Sequence, residues 1–340
     1  MSMEDRNERT RRHVLKVTGG AATVGVAGCI DSDDDSDGDV EDFPSENIRH
    51  IVPFGAGGGT DTYNRRLVGH VAEELGVDLQ VDNIEGAASL RGVGEAYNAE
   101  PDGHTMVGFN PPSTPVSWLV SPQDWDVADF EGVCRYAFTP YLIAARSDLN
   151  ISGLDDLLER YATGDLEILG GQEEGGVLHV AAVAMQETYD WEWQTYVGYD
   201  GSASTAAALA SGEIDVGLIN DDGIEALVED DTVDIVAVLT SEGSERFPDA
   251  PTVTDQGYES VDYIGQITRC IYAPPGTPED RIQLISDEIG EYMESDEFIE
   301  WAEENNQPHD YGGPEVANQA LQDAMEEVPE NVDIEEIQPD

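Results

Sequence analysis

The chain has 340 residues and sets 73 aspartates and glutamates against 15 lysines and arginines, a formal net charge of −58. This balance excludes a nucleic-acid binder, which needs a basic footprint, and an anionic membrane surface would repel it. The length suffices for two domains, each with its own core.

Lys16 is the only lysine. Apolar periodicity runs through the chain beyond about residue 45, so the charge does not signal disorder there. An acidic, lysine-depleted but well-patterned sequence reads as a halophilic protein whose self-repulsion is screened by salt.

Residues 1–29 read as an export signal. Thr10-Arg11-Arg12-His13-Val14-Leu15-Lys16 resembles the twin-arginine signal. The weakly apolar run that follows, 17–27, is too short to span a bilayer. Val26-Ala27-Gly28-Cys29 resembles a lipobox, which implies lipidation of Cys29 and a protein held on the outer face of the cytoplasmic membrane. Residues 30–46 read as an acidic, disordered tether. Asp33-x-Asp35-x-Asp37-Gly38 imitates an EF-hand loop, but Pro44 stands where the bidentate glutamate belongs, so no metal site is expected.

From there strands and helices alternate. A strand at 49–54 enters the turn Gly55-Ala56-Gly57-Gly58-Gly59, and a helix carries Tyr63, Leu67, Val71 and Leu75 on one stripe up to Gly76. A strand at 79–81, a helix at 89–99 and a strand at 105–109 follow, then a loop, Asn110-Pro111-Pro112-Ser113. Residues 133–146 form an extended crossing interrupted by Pro140. Ser152 caps a helix at 154–161. A second series then runs strand 167–169, Gly-rich turn 170–176, helix 177–189, strand 195–197, turn 198–202, helix 203–211 and strand 216–219. A short helix from Gly223 and strands at 235–239 and 266–273 come next. A helix capped by Thr277, with Pro278 at its first position, and helices at 297–304 and 314–327 close the chain.

This order predicts a mostly parallel sheet in two α/β halves, 47–140 plus 241–340 and 141–240, joined by two extended crossings with a cleft between them. Gly-rich turns after strands, leading into helix N-termini, are anion sites. Cys134 and Cys270 lie in strand-like segments and either pair or sit as buried thiols.

Val52-Pro53-Phe54-x-x-Gly57-Gly58-x-x-Asp61 resembles the substrate-binding proteins of tripartite tricarboxylate transporters, the Bug receptor family. The resemblance continues through Pro101-Asp102-Gly103-His104-Thr105, Gly170-Gly171 with His179, Val197-Gly198-Tyr199-x-Gly201 with Gly212-Glu213-Ile214-Asp215, Asp249-Ala250-Pro251-Thr252-Val253 and Ala273-Pro274-Pro275-Gly276-Thr277-Pro278. It implies a periplasmic-binding-protein-like, Venus-flytrap receptor. Such a receptor is not an enzyme, needs no cofactor, closes on a small carboxylate and delivers it to a permease of one large and one small membrane subunit. The ligand-binding residues expected first are Phe54, Gly57, Gly58, Gly59, Thr60 and Asp61. Gly171, Gln172, Tyr199, Gly201 and Ser202 face them across the cleft, and Asn110 and Asn220 sit at strand ends.

Three departures stand out. Asp200 replaces a usual lysine, Glu173-Glu174 put acid in a neutral turn, and Arg269 stands near a usual aromatic. Arg269 is expected either to face the cleft and clamp a carboxylate bidentately or to lie outside the site, while the acids read as a halophile's surface. The rival reading is a dinucleotide-binding enzyme with Gly55-x-Gly57 and Asp82, weakened by Thr60 in place of the third glycine. An extracytoplasmic sensor module is a further alternative. The histidines do not cluster at metal spacing.

Overall fold

The computed structural model describes residues 43–338; the expected export signal, Cys29 with its expected lipidation, and the acidic run up to residue 42 lie outside the described residues. Phe43, placed in the tether by sequence, instead packs its ring 4.9 Å from that of His104 and beneath the Arg281 guanidinium. Ser45 N–H donates to His104 Nε2, so residues 43–45 belong to the folded body.

The chain begins β1 (Ile48–Val52), α1 (Gly59–Leu75), β2 (Leu79–Asn83), α2 (Leu90–Tyr97), β3 (Thr105–Phe109), α3 (Ser113–Val120) and β4 (Glu131–Arg146). It continues α4 (Leu154–Thr163), β5 (Ile168–Gln172), α5 (Val177–Tyr189), β6 (Thr195–Tyr199), α6 (Ser202–Ser211), β7 (Val216–Asn220), α7 (Glu225–Glu229) and β8 (Val233–Val238). It ends β9 (Gln266–Ala273), α8 (Glu279–Met293), α9 (Asp296–Glu304) and α10 (Pro314–Asn331).

The strands form one sheet in the order β2-β1-β3-β9-β4-β7-β5-β6, with β8 also paired to β4. The pairs β1–β2, β1–β3, β5–β6 and β5–β7 are parallel, but β9 runs antiparallel to β3 and β4, and β4 antiparallel to β7 and β8. The mostly parallel sheet is thus corrected to a mixed one, because the crossing strands insert against the direction of their neighbours. β4 is not interrupted at Pro140. It pairs with β9 as far as Pro140↔Gln266 and with β7 from Tyr141↔Asn220, so one strand serves both halves of the sheet.

α1 starts after an extended Gly58 and stops at Gly76, whose φ of 75° only glycine adopts readily. The predicted stripe holds: Tyr63, Leu67 and Val71 are fully buried against β1 and α8. α3 starts at Ser113, the last residue of the expected loop, and runs through a stretch to which the sequence assigns no element. Its prolines misled, since Pro115 sits in the first turn, where a missing N–H breaks no helical bond. Two caps move by one residue. Ser152 lies before the Gly153 cap and donates to Asp156 instead, and Thr277 Oγ1 turns back to the Pro274 carbonyl while Pro278 takes the cap position.

The cores follow the two halves of the sheet. Val68, Tyr136 and Ile289 pack in one cluster, Phe109, Cys270 and Leu321 in a second on the same half. Tyr141, Leu169 and Met185 anchor the core of the other half, which also recruits Val253, Val261, Ile264 and Ile267. α10 contributes to both, with Leu321 in the first half and Val328 in the second. Cys134 and Cys270 are free and buried. Neighbouring positions on paired strands send them to opposite faces of the sheet, into different clusters, which keeps their sulfurs apart.

Candidate functional site

The C-terminal ends of β1, β3, β5 and β7 open on one cavity of about 610 Å³ between the two halves of the sheet. The first half contributes Phe54, Gly57, Gly58, Gly59, Thr60 and Asn110; the second contributes Gln172, Gly201, Ser202 and Asn220. Arg269, from β9, lies on the floor with Tyr141 of β4. The α1 and α6 N-termini, at Gly59 and Ser202, both border the space. First-turn N–H groups of a helix have no partner within it and sit at the positive end of its dipole. Among the described residues, Asn110 Oδ1, Asn220 Oδ1 and Tyr141 Oη are buried on this wall with no hydrogen-bond partner.

Arg269 is the centre of the polar network. Its Nε donates to Thr139 Oγ1 at 3.1 Å, Nη1 to Thr60 Oγ1 at 3.0 Å, and Nη2 to Asp222 Oδ2 at 2.7 Å. Thr60 Oγ1 also accepts from Asn110 Nδ2. The guanidinium lies over Gly59, where a Cβ would come within 2.9 Å of Nη2. That contact explains physically why position 59, the last of the turn, is glycine. Burial works against the Arg269 charge, but Asp222 and then Tyr136, Tyr63 and Tyr141 outweigh it, so its pKa lies above the usual value.

Asp61 and Gly171 do not line the cavity. The Asp61 carboxylate accepts from Gly57 N–H at 2.8 Å, from Arg65 Nε and from Asn83 Nδ2, so it braces the glycine turn from behind. Burial opposes its ionisation, yet the bonds from Arg65, Gly57 and Asn83 prevail and its pKa is lowered. Gly171 lies under Tyr196, whose Oη would stand 2.3 Å from a Cβ there and donates to the Gln172 carbonyl. Tyr199 borders an adjoining chamber of about 430 Å³ with Glu85 and Glu173, and its hydroxyl donates to Glu213. Asp200 borders both spaces, while Glu174 faces away beside His179. His179 Nδ1 accepts from Gly175 N–H, so the ring fastens the second glycine turn; burial lowers its pKa.

Sequence reasoning missed Tyr141, Asp222, Ser113, Ile267 and Gln307 on the cavity wall. Tyr141 carried a signal, since it follows Pro140 at the crossing. Asp222 sits two residues past a strand-end asparagine already singled out, but nothing distinguished it among 73 acids. Behind it, Asp221 accepts from Ser244 Oγ at 2.7 Å and lies 3.9 Å from Arg246 Nε. Burial pushes Asp221 up to about 6.

A mixed α/β sheet in two halves, with paired helix N-termini and a buried arginine around an interior cavity, is an arrangement suited to hold a small anionic solute. The particular family follows from comparison with known proteins. The family model described as "Tripartite tricarboxylate transporter family receptor" matches residues 64–333, and the chain belongs to that family. A UPF0065 protein of Bordetella pertussis is 25% identical over 285 residues, covering 83% of this chain and 85% of the relative. The Bordetella pertussis protein BugT is 23% identical over 282 residues, covering 82% and 83%. Among solved structures, MatC of Rhodopseudomonas palustris with bound malate superposes with a TM-score of 0.71 at 20% identity, covering 85% of this chain and 99% of that one. An R. palustris protein with adipate gives 0.74 at 22% identity, covering 88% and 100%. The periplasmic-binding-protein-like fold class expected from the sequence is the one these structures share.

Proposed function

We propose that this protein is an exported receptor that captures a small carboxylate in the cavity and presents it to a membrane permease. One observation carries the reading: the N-termini of α1 and α6, from opposite halves of the sheet, border the same cavity beside three unpartnered polar atoms. Helix N-termini favour a carboxylate, directly or through ordered water, and the free Oδ1 atoms of Asn110 and Asn220 suit a hydroxyl or a bridging water. Phe54, Gly57–Thr60, Gln172, Gly201, Ser202 and Arg269 form the rest of the proposed site.

The two lobes we propose meet at Pro140 on the way out. The packing of Val253, Val261, Ile264 and Ile267 with the second core supports drawing the return near Gly265. Capture on both sides of the cleft biases the lobes towards closure, and the closed form is what a permease would recognise. The twin-arginine signal and Cys29 support export with a lipid anchor, and the family implies a permease partner. The rival nucleotide reading loses its acid, since Asp82 is held by Arg49 Nε at 2.7 Å.

A thermal-shift screen of small carboxylates in molar KCl tests the proposal. A ligand at about 100 times its Kd stabilises the folded state by about 2.7 kcal/mol, a clear rise in melting temperature. A screen in which no carboxylate raises it overturns the reading.

A further inference from the structure

Among the described residues, the charged ones on the cavity wall are Arg269, Asp200 and Asp222. The one cation is already engaged. Arg269 has its three nitrogens on Thr139, Thr60 and Asp222, and the Asp222 contact at 2.7 Å is an ion pair between β9 and the turn after β7. A guanidinium beside a helix N-terminus is the strongest anion position this cavity offers, and the protein's own carboxylate is paired with it. With Arg269 neutralised, Asp200 leaves the wall with an excess of negative charge. The remaining anion attraction comes from helix N-termini, which are partial charges only.

We propose that Asp222 is a specificity-determining residue that limits the ligand to a single carboxylate. As a built-in counter-anion it withholds Arg269 from the ligand and places its own carboxylate where a second negative group would pair with the guanidinium. The inference rests on the carboxylate reading above and narrows it. The pair is largely buried, so molar salt screens it far less than it screens exposed charges. Like charges brought together in a binding site discriminate strongly between partners.

The test is calorimetric titration in molar KCl with matched acids: propionate against succinate, butyrate against glutarate, lactate against malate. The native chain is expected to bind the monocarboxylate of a pair more tightly. In Asp222→Asn the dicarboxylate gains about ten-fold or more relative to its match. A native chain that prefers the dicarboxylates, or a substitution that shifts both members of each pair equally, overturns the proposal. The native ranking needs no variant, and Asp222→Ser repeats the comparison if the asparagine variant does not fold. Binding of none of these acids by either protein instead overturns the carboxylate reading, and this inference falls with it.

Discussion

Arg269 reaches Gly59 only because β9 is laid beside β3 and β4, so the sequence singled out both the glycine turn at 55–59 and Arg269 but not the contact between them. Gly59→Ala is therefore expected to force the guanidinium aside, at a cost of about 1–3 kcal/mol measured by chemical denaturation. Weaker carboxylate binding should accompany it, and an unchanged denaturation midpoint would separate Gly59 from Arg269. His50 is a second case. It is fully buried on β1, and among the described residues neither ring nitrogen finds a hydrogen-bond partner. Burial lowers its pKa to about 4. The folded state thus resists the proton that the unfolded chain accepts near 6.5, so stability is full above about pH 6.5 and falls towards pH 4, by roughly 3 kcal/mol in the limit. Asp221, raised to about 6, acts in the opposite sense over the same window, because its stabilising contribution is present at low pH and is lost as pH rises through 6. Comparing the native chain with His50→Phe between pH 7 and 5 isolates the histidine; the variant should lose less stability on acidification.

Elements were easier to read than contacts. Helix starts and stops marked by glycine and strands marked by β-branched runs fell near their observed limits, since those signals are local. α3 was hidden because proline in a first turn and proline in a loop look alike in sequence. The reach of α10 was hidden for a different reason: its apolar stripe is continuous, and only the tertiary fold divides Leu321 from Val328 between two cores. A helix shared in this way couples the two halves. Leu321→Ala is expected to cost about 2–5 kcal/mol. Hydrogen exchange should then show protection falling in β5 and β7 as well as in β1 and β3. Loss confined to β1 and β3 would mean that α10 does not transmit stability between the halves.

At the scale of the whole molecule, alternating strands and helices with glycine turns made the α/β fold class legible, because that architecture is written in periodicity. The charge state belongs to this scale too. The chain carries a formal −58, and its arginines among the described residues are largely taken up by specific partners, such as Arg49 with Asp82, Arg146 with Asp215 and Arg160 with Asp156. Exposed pairs of this kind contribute little each, so they do not offset the summed repulsion. At about 0.01 M ionic strength the screening length is roughly 30 Å, comparable to a lobe, and most carboxylates repel one another across the molecule; at 1 M it is about 3 Å and repulsion is confined to neighbours. Unfolding separates the charges and is therefore favoured in dilute buffer. The melting temperature should rise steeply with KCl, and dialysis into dilute buffer should abolish the helical circular dichroism signal. Sucrose at matched osmolality should not replace the salt, because it screens nothing. A circular dichroism spectrum unchanged by that dialysis would show that the folded state tolerates its own charge, and the acidic surface would then need another explanation.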